Sequence, residues 1–208
     1  MQWSGKRRFI LYTVIPPVLV FLAALLIFAR SMGHSFQPFD DADFVTANPQ
    51  VQKGLALHSV VWAFTSDEGG NWFPVARLSH MLDVELFGDD PRGHHGTSIL
   101  LHAINSVLVY FLCLRLSARH AGAAAVALLF ALHPLHVESV SWVASRKDLL
   151  CAFFWLLGLF AYLRYVTQPS RHGYALVTAA FVLSFLSMSL AITFPLVFGW
   201  MHFAPLPP

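Results

Sequence analysis

The stretch FILYTVIPPVLVFLAALLIFA, residues 9–29, decides the fold. It is apolar throughout and follows Lys6, Arg7 and Arg8; about 20 such residues cross about 30 Å of hydrocarbon. A secretory signal shares the basic start, but its apolar region is shorter and ends at a small-residue cleavage site that this sequence lacks. The stretch therefore reads as a retained membrane helix with its N-terminus in the cytoplasm. Pro16 and Pro17 are expected to kink it.

The remainder of the chain agrees with that class. Of 208 residues, 57% are hydrophobic, 12% are charged and 19 are Phe, a composition that would aggregate in water and marks an integral membrane protein. A net charge of +2, with the basic residues spread along the chain, makes no case for nucleic acid as a partner. Cys113 and Cys151 both fall in apolar spans as small buried hydrophobes, implying neither a disulfide framework nor a Cys-based metal site.

Further spans are expected at 97–116, 121–133 and 149–165. The short turns between them carry Arg115, Arg119, Arg164 and Arg171. Together with Lys6, Arg7 and Arg8 these place seven of the thirteen Lys and Arg on the cytoplasmic side, as the positive-inside rule asks. Residues 174–204 are too long for one straight helix, since about 31 residues at 1.5 Å each exceed the hydrocarbon thickness by about half. They tilt, kink at Pro195, or turn back near Met188 and Ser189; the last option, spans 174–188 and 190–204, is preferred. The expected fold is all-α: one polytopic transmembrane bundle over 1–208, with six spans and a long outer loop, 30–96.

In that topology all eleven Asp and Glu lie on the outer side. The loop holds Asp40, Asp41, Asp43, Asp67, Glu68, Asp83, Glu85, Asp89 and Asp90, and the stretch 133–148 holds Glu138 and Asp148. A loop this long, with little low complexity, is expected to be structured or functional. Residues 51–64 and 72–87 carry apolar residues at helical spacing and read as interfacial helices, with Trp62, Trp72 and Phe73 at headgroup level.

Three local patterns point to chemistry. In FDDADF, residues 39–44, three carboxylates crowd together. Either one acts as a general base toward a hydroxyl near the bilayer surface, or the cluster is a solvated turn in which Asp40 or Asp41 caps a short helix. His95, Ser98, His102 and Asn105 recur at three- and four-residue steps, so they share one helix face. Polar groups are costly in hydrocarbon, so that face looks into the bundle, as a wet cavity or as interhelical hydrogen bonds. In 133–148, His133, His136 and Glu138 match no closed zinc motif and read as structural. Ser145 with Asp148 resembles a capping box. Arg146 and Lys147 then stand at a helix N-terminus, where positive charge is disfavoured unless an anion such as a phosphate arrives.

Three strings, FDDADFVTANPQVQKGL (39–55), NWFPVARLSHMLDVELFG (71–88) and HPLHVESVSWVASRKDLL (133–150), together resemble the membrane half of the transmembrane and tetratricopeptide-repeat proteins. That family has bacterial members and animal O-mannosyltransferases, and is similar in fold to the GT-C protein O-mannosyltransferases. The resemblance implies a bacterial-type member lacking the repeat domain, in the bacterial inner membrane with the long loop periplasmic. The implied reaction transfers a sugar, mannose being the expected one, from a polyprenyl-phosphate carrier to a protein hydroxyl on the outer membrane face. By the family's pattern Asp40 and Asp41 are the catalytic acids, one of them the base. His95, His102, His136, Glu138, Arg146 and Lys147 are the expected substrate-binding residues, with Arg146 on the carrier phosphate. No cofactor, metal ligand or nucleotide-sugar loop is required, although the acids leave a divalent metal open. The partners are the lipid bilayer, the lipid-linked donor, the protein acceptor and other membrane subunits.

The chain departs from the family's pattern at Met188 and Ser189, where bacterial relatives carry a Lys-Pro pair, and at His202, where they carry an acid. The alternative reading is a non-catalytic subunit or degenerate relative packed in a larger membrane complex. An ion transporter built on His95, His102, His133 and His136 ranks lower, because no acid lies within any expected span.

Overall fold

The computed structural model describes residues 13–67 and 72–203, and every regular element among them is helical. In chain order these are α1 (Ile15–Phe28), α2 (Leu57–Thr65), α3 (Pro74–Phe87), α4 (Pro91–Ser117), α5 (His120–Leu132), α6 (His136–Ser141), α7 (Arg146–Thr167), α8 (Arg171–Ser187) and α9 (Phe194–Phe203). The chain is an all-α helical membrane protein. Three described helical stretches are long and apolar enough to cross a membrane: Ile15–Gly33, Pro91–Ser117 and Val143–Thr167.

Pro16 and Pro17 sit in the first turn of α1, directly after π-helical backbone at Thr13 and Val14, a local change of winding of the kind a missing N–H produces. Residues 9–12 of the expected span lie outside the described residues. Helix α4 starts at Pro91, inside the stretch expected to be loop, because Asp90 caps it by accepting the Arg92 amide at 3.0 Å and Pro91 is pre-set for a first turn. Its 27 residues extend about 40 Å, so its first turns have length to spare beyond the hydrocarbon.

Helices α1, α4 and α5 pack around Val20, Ala24, Ala103, Tyr110, Ala123, Ala127 and Ala131, all at most 1% exposed. The alanines of α5 recur every four residues, giving one smooth face against which neighbouring backbones approach closely. Alone, α5 is short: 13 residues span about 20 Å. Helices α7 and α8 form the second tight pair. Ser184 Oγ donates to the Cys151 carbonyl at 2.9 Å, and the Phe194 ring fills the gap that Gly158 leaves by having no side chain. The long apolar stretch leaves the helical conformation at Met188 and resumes helix at Phe194, with a 3-10 turn, Ser189–Thr193, between. Pro195 is the second residue of α9, directly after that 3-10 turn, a position where proline leaves no helical bond unmade.

The loop between the first two long helices is folded, with a core of its own in which Val51, Ala63 and Met81 are fully buried. Its first expected helix, 51–64, is split. Gly54 has φ 65, a left-handed conformation that ends a short 3-10 turn before α2 starts at Leu57. The second, expected at 72–87, is α3. Trp62 lies under the Arg77 guanidinium at 4.4 Å, and Trp72 Nε1 donates to the Phe64 carbonyl at 2.9 Å.

Candidate functional site

Distant parts of the sequence meet at the loop end of the bundle, and Asp41 joins them. Its fully buried carboxylate accepts the Gln37 amide on Oδ2 and the Ala144 amide on Oδ1, each at 2.8 Å. A carboxylate so far from water requires such donors. Asp41 stands at the boundary of the π-helical turn Ala42–Thr46 but makes no side-chain cap to it, so of the two alternatives for the cluster it does not follow the capping one: its oxygens are engaged elsewhere. Ser31 Oγ and Ser141 Oγ, 2.7 Å apart, make a second link between the end of the first span and α6. Asp40 is half-buried, and its side chain meets no hydrogen-bonding or ionic partner among the described residues.

Arg146 is fully buried, and its guanidinium is spent within the protein. Nη1 pairs with Asp83 Oδ2 at 2.5 Å and reaches Ser79 Oγ at 3.3 Å; Nε donates to Ser98 Oγ at 3.2 Å and Nη2 to the His94 carbonyl at 2.7 Å. Asp83, 2% exposed, also accepts Thr97 Oγ1 at 2.9 Å. One side chain thereby fastens α3 to α4 and to the start of α7. The cation expected on a phosphate thus has protein groups around its guanidinium, with no exposure to solvent. The resemblance of Ser145 and Asp148 to a capping box fails. Ser145 makes no side-chain cap, and Asp148 instead accepts Ser139 Oγ at 3.1 Å, a partner closer to hand on α6.

Lys147, the neighbouring cation, is half-buried and treated differently. Its Nζ lies 5.2 Å from the Phe44 ring centre and 5.5 Å from that of Phe73. It has no carboxylate partner among the described residues.

The polar face of α4 points inward along its length: His95, Ser98, His102 and Asn105 are at most 1% exposed. Three of the four bond neighbouring elements. Ser98 meets Arg146, the His102 ring lies 3.0 Å (Nε2) from the Ala131 carbonyl, and Asn105 Nδ2 donates to the Leu149 carbonyl at 2.9 Å. Neither ring nitrogen of His95 has a hydrogen-bond partner among the described residues, and its ring lies 6.1 Å from that of His34. His136 packs against Phe130 and His102, at 4.4 and 5.2 Å between ring centres; burial, then the nearby His133, lowers its pKa. Glu138 is exposed. No three His, Cys, Asp or Glu among the described residues converge as a metal would need.

Sequence reasoning missed Asp83, His80 and His94. Arg77, His80 and Asp83 follow one another at three-residue steps on α3, and all are at most 5% exposed. That run of polar residues at three-residue steps was the available signal. Neither ring nitrogen of His80 has a hydrogen-bond partner among the described residues. Burial first, then the charge of Arg146, His94 and Lys147, holds its pKa well below the ordinary value.

The sequence comparisons agree with one another. Residues 74–206 match the family model described as dolichyl-phosphate-mannose-protein mannosyltransferase. The chain is 31% identical over 163 residues to protein O-mannosyl-transferase TMTC1 of Homo sapiens, covering 73% of this chain and 18% of that protein. It is 31% identical over 186 residues to human TMTC4, covering 77% and 25%, and 27% identical over 183 residues to Drosophila melanogaster Tmtc1, covering 85% and 21%. The chain thus spans a quarter or less of the length of these relatives. No solved structure matches. With more than half of its length inside the family model, and with Asp41, Asp83 and Arg146 fastening its three motifs together, this chain belongs to the dolichyl-phosphate-mannose-protein mannosyltransferase family.

Proposed function

We propose that the chain is the catalytic module of a GT-C-like glycosyltransferase, moving mannose from a polyprenyl-phosphate carrier to a Ser or Thr hydroxyl of a protein on the outer membrane face. The observation that carries this reading is the bond from Ala144 N–H to Asp41, which brings the acidic pair of the loop against the start of α7. The two acids then divide the work. Asp41 is saturated and buried, a positioning residue; Asp40, one position earlier and uncommitted, is the base. As the acceptor oxygen attacks the anomeric carbon, its proton passes to Asp40. The bond from that carbon to the carrier oxygen breaks, and its electron pair leaves with the phosphate. General-base help of this kind is worth about 10²–10⁴-fold.

A lipid-linked donor suits the surroundings. A cavity of about 320 Å³ is lined by Asp148 together with Cys151, Ala152, Trp155, Met188 and Leu190, a mainly apolar surface of the kind isoprene units favour. The proposed topology puts the Arg115, Arg119, Arg164 and Arg171 turns in the cytoplasm and the folded loop outside, with α8 and α9 supplying further spans. The test is transfer from a mannosyl polyprenyl phosphate to a Ser/Thr-rich peptide by the purified chain. Asp40→Asn is expected to slow transfer by about 10²–10⁴-fold; an unchanged rate removes Asp40 as base. A folded wild-type chain that transfers nothing favours the subunit reading.

A further inference from the structure

The end of the bundle opposite the folded loop takes no part in the proposed chemistry, and its charge is one-sided. There the last turn of α4 carries Arg115, Arg119 precedes α5, the last turn of α7 carries Arg164, and α8 starts at Arg171. All four side chains are exposed. No Asp or Glu occurs in residues 1–39, 91–137 or 149–208, so none of these helices brings a carboxylate to this end. Four cations therefore stand at the rim of the apolar spans with no acid to neutralise them.

Two apolar grooves run along the helices from this rim. One, of about 520 Å³, lies between α4 and α7, where Leu108, Phe111 and Leu114 face Leu157 and Phe160, and Arg115 is the polar residue of its lining. The other, of about 530 Å³, lies between α1 and α4, where Val14, Val18 and Leu22 face Val107 and Phe111. Phe111 lines both and stands as a ridge between them. Arg115 follows Phe111 by about one helical turn, about 5.4 Å nearer the end of α4. The three helices that form the grooves are the three long and apolar enough to cross a membrane. Val18, Leu22 and Phe111 are exposed on them, so in a bilayer these walls meet lipid chains.

The occupant must then have two apolar arms that part around Phe111 and one anionic group where they join. A single-chain lipid fills one groove and leaves the other bare; a neutral headgroup leaves Arg115 unanswered. We propose that this face of α1, α4 and α7 binds an anionic diacyl phospholipid of the surrounding leaflet, with one chain on each side of Phe111 and the headgroup phosphate on Arg115. The planar guanidinium fork suits a phosphate, and basic sites between spans are where anionic headgroups settle. Arg119, Arg164 and Arg171 add a diffuse attraction, while of the four Arg115 is the one that lines the groove. The site is independent of the glycosyltransferase reading and lies at the other end of α4 from the acids of the loop. In the proposed topology it faces the cytoplasmic leaflet, whose surface is negative.

The test is the first binding constant for lipid, read by native mass spectrometry on the full chain in a neutral detergent. Dioleoyl phosphatidylglycerol is the probe, dioleoyl phosphatidylcholine the control for charge, and oleoyl lysophosphatidylglycerol the control for the second chain. Phosphatidylglycerol is expected to bind more tightly than either. Arg115→Gln is expected to weaken it about fivefold, Arg115→Lys to keep most of the affinity, and Arg119→Gln to change it little. Leu157→Trp and Val18→Trp, each placing a ring in one groove, are expected to bring the diacyl lipid down to the affinity of the lyso form. Equal binding of phosphatidylglycerol and phosphatidylcholine by wild type overturns the proposal. So does an equal loss from Arg115→Gln and Arg119→Gln, with both variants folded by circular dichroism, because it assigns the preference to a diffuse positive surface. Lysophosphatidylglycerol binding as tight as that of the diacyl lipid overturns the two-groove assignment. A wild type that is dimeric and becomes monomeric in Leu157→Trp overturns the site as well, by making this face an interface between copies of the chain.

Discussion

The loop end of the bundle and the seam between α1, α4 and α5 hold helices together by opposite means. At the loop end, α3, α4 and α7 meet through the Asp83–Arg146 pair and the hydroxyls around it, with the two charged side chains at most 2% exposed. In the seam, Ala123, Ala127 and Ala131 do the same task by being small. In lipid the hydrophobic effect does not drive one helix onto another, so close packing and buried hydrogen bonds are the means available. The difference lies in how each fails. Small residues fail by gaining volume, charged pairs by losing a partner.

Arg146→Met is the strongest way to break the comparison. It strands Asp83 in a dry site, which typically costs about 3–5 kcal/mol. Melting in detergent is expected to fall sharply, with hydrogen exchange rising first in α3 and at the start of α7. Uniform loosening of α5 as well would mean that the two regions are not separate. On the small-residue side, Gly158→Ala drives a methyl into the Phe194 ring and is expected to lower stability by about 1–3 kcal/mol. Phe194→Leu in the same chain should recover part of that loss, and no recovery would show that the fault lies in the backbone of α7.

Asp41→Asn tests the loop end more gently. The amide keeps one acceptor oxygen and turns an NH₂ toward a backbone donor, so a loss of about 1–2 kcal/mol is expected, with proteolysis of the 30–56 segment becoming faster. The smallest effect is that of pH. The folded-state pKa of His80 is depressed by burial and by Arg146, His94 and Lys147, so only the unfolded chain takes up this proton as pH falls through about 6.5. The stability contribution is therefore complete above that value and declines below it, by about 0.7 kcal/mol between pH 7 and pH 6. His80→Leu should flatten that part of the profile; an identical slope in wild type and variant would assign the dependence to other groups, His136 among them.

The sequence revealed those features that one-dimensional spacing encodes. The inward face of His95, Ser98, His102 and Asn105 was readable because polar side chains at helical steps in an apolar span have few tolerable orientations. The break at Met188 lay where helix length ran out. Asp83 and Arg146 were not readable as a pair, because each has an ordinary surface use and only the fold brings them together. Ser145 and Asp148 misled for a related reason: a capping box is a local contest, and Ser139, from a separate helix, won the carboxylate.

The contact between Asp41 and the amide of Ala144 is written on only one side of the genetic record. Its donor is backbone, so any residue but proline at position 144 supplies the same N–H, subject to the small space there. Substitutions at 41 and 144 have no reason to track each other among relatives. A search for paired changes would therefore pass over the bond that brings the acids to α7, and would find side-chain pairs such as Asp83 with Arg146 instead. In this chain the bond most closely tied to the proposed chemistry is the one that sequence divergence is least able to report.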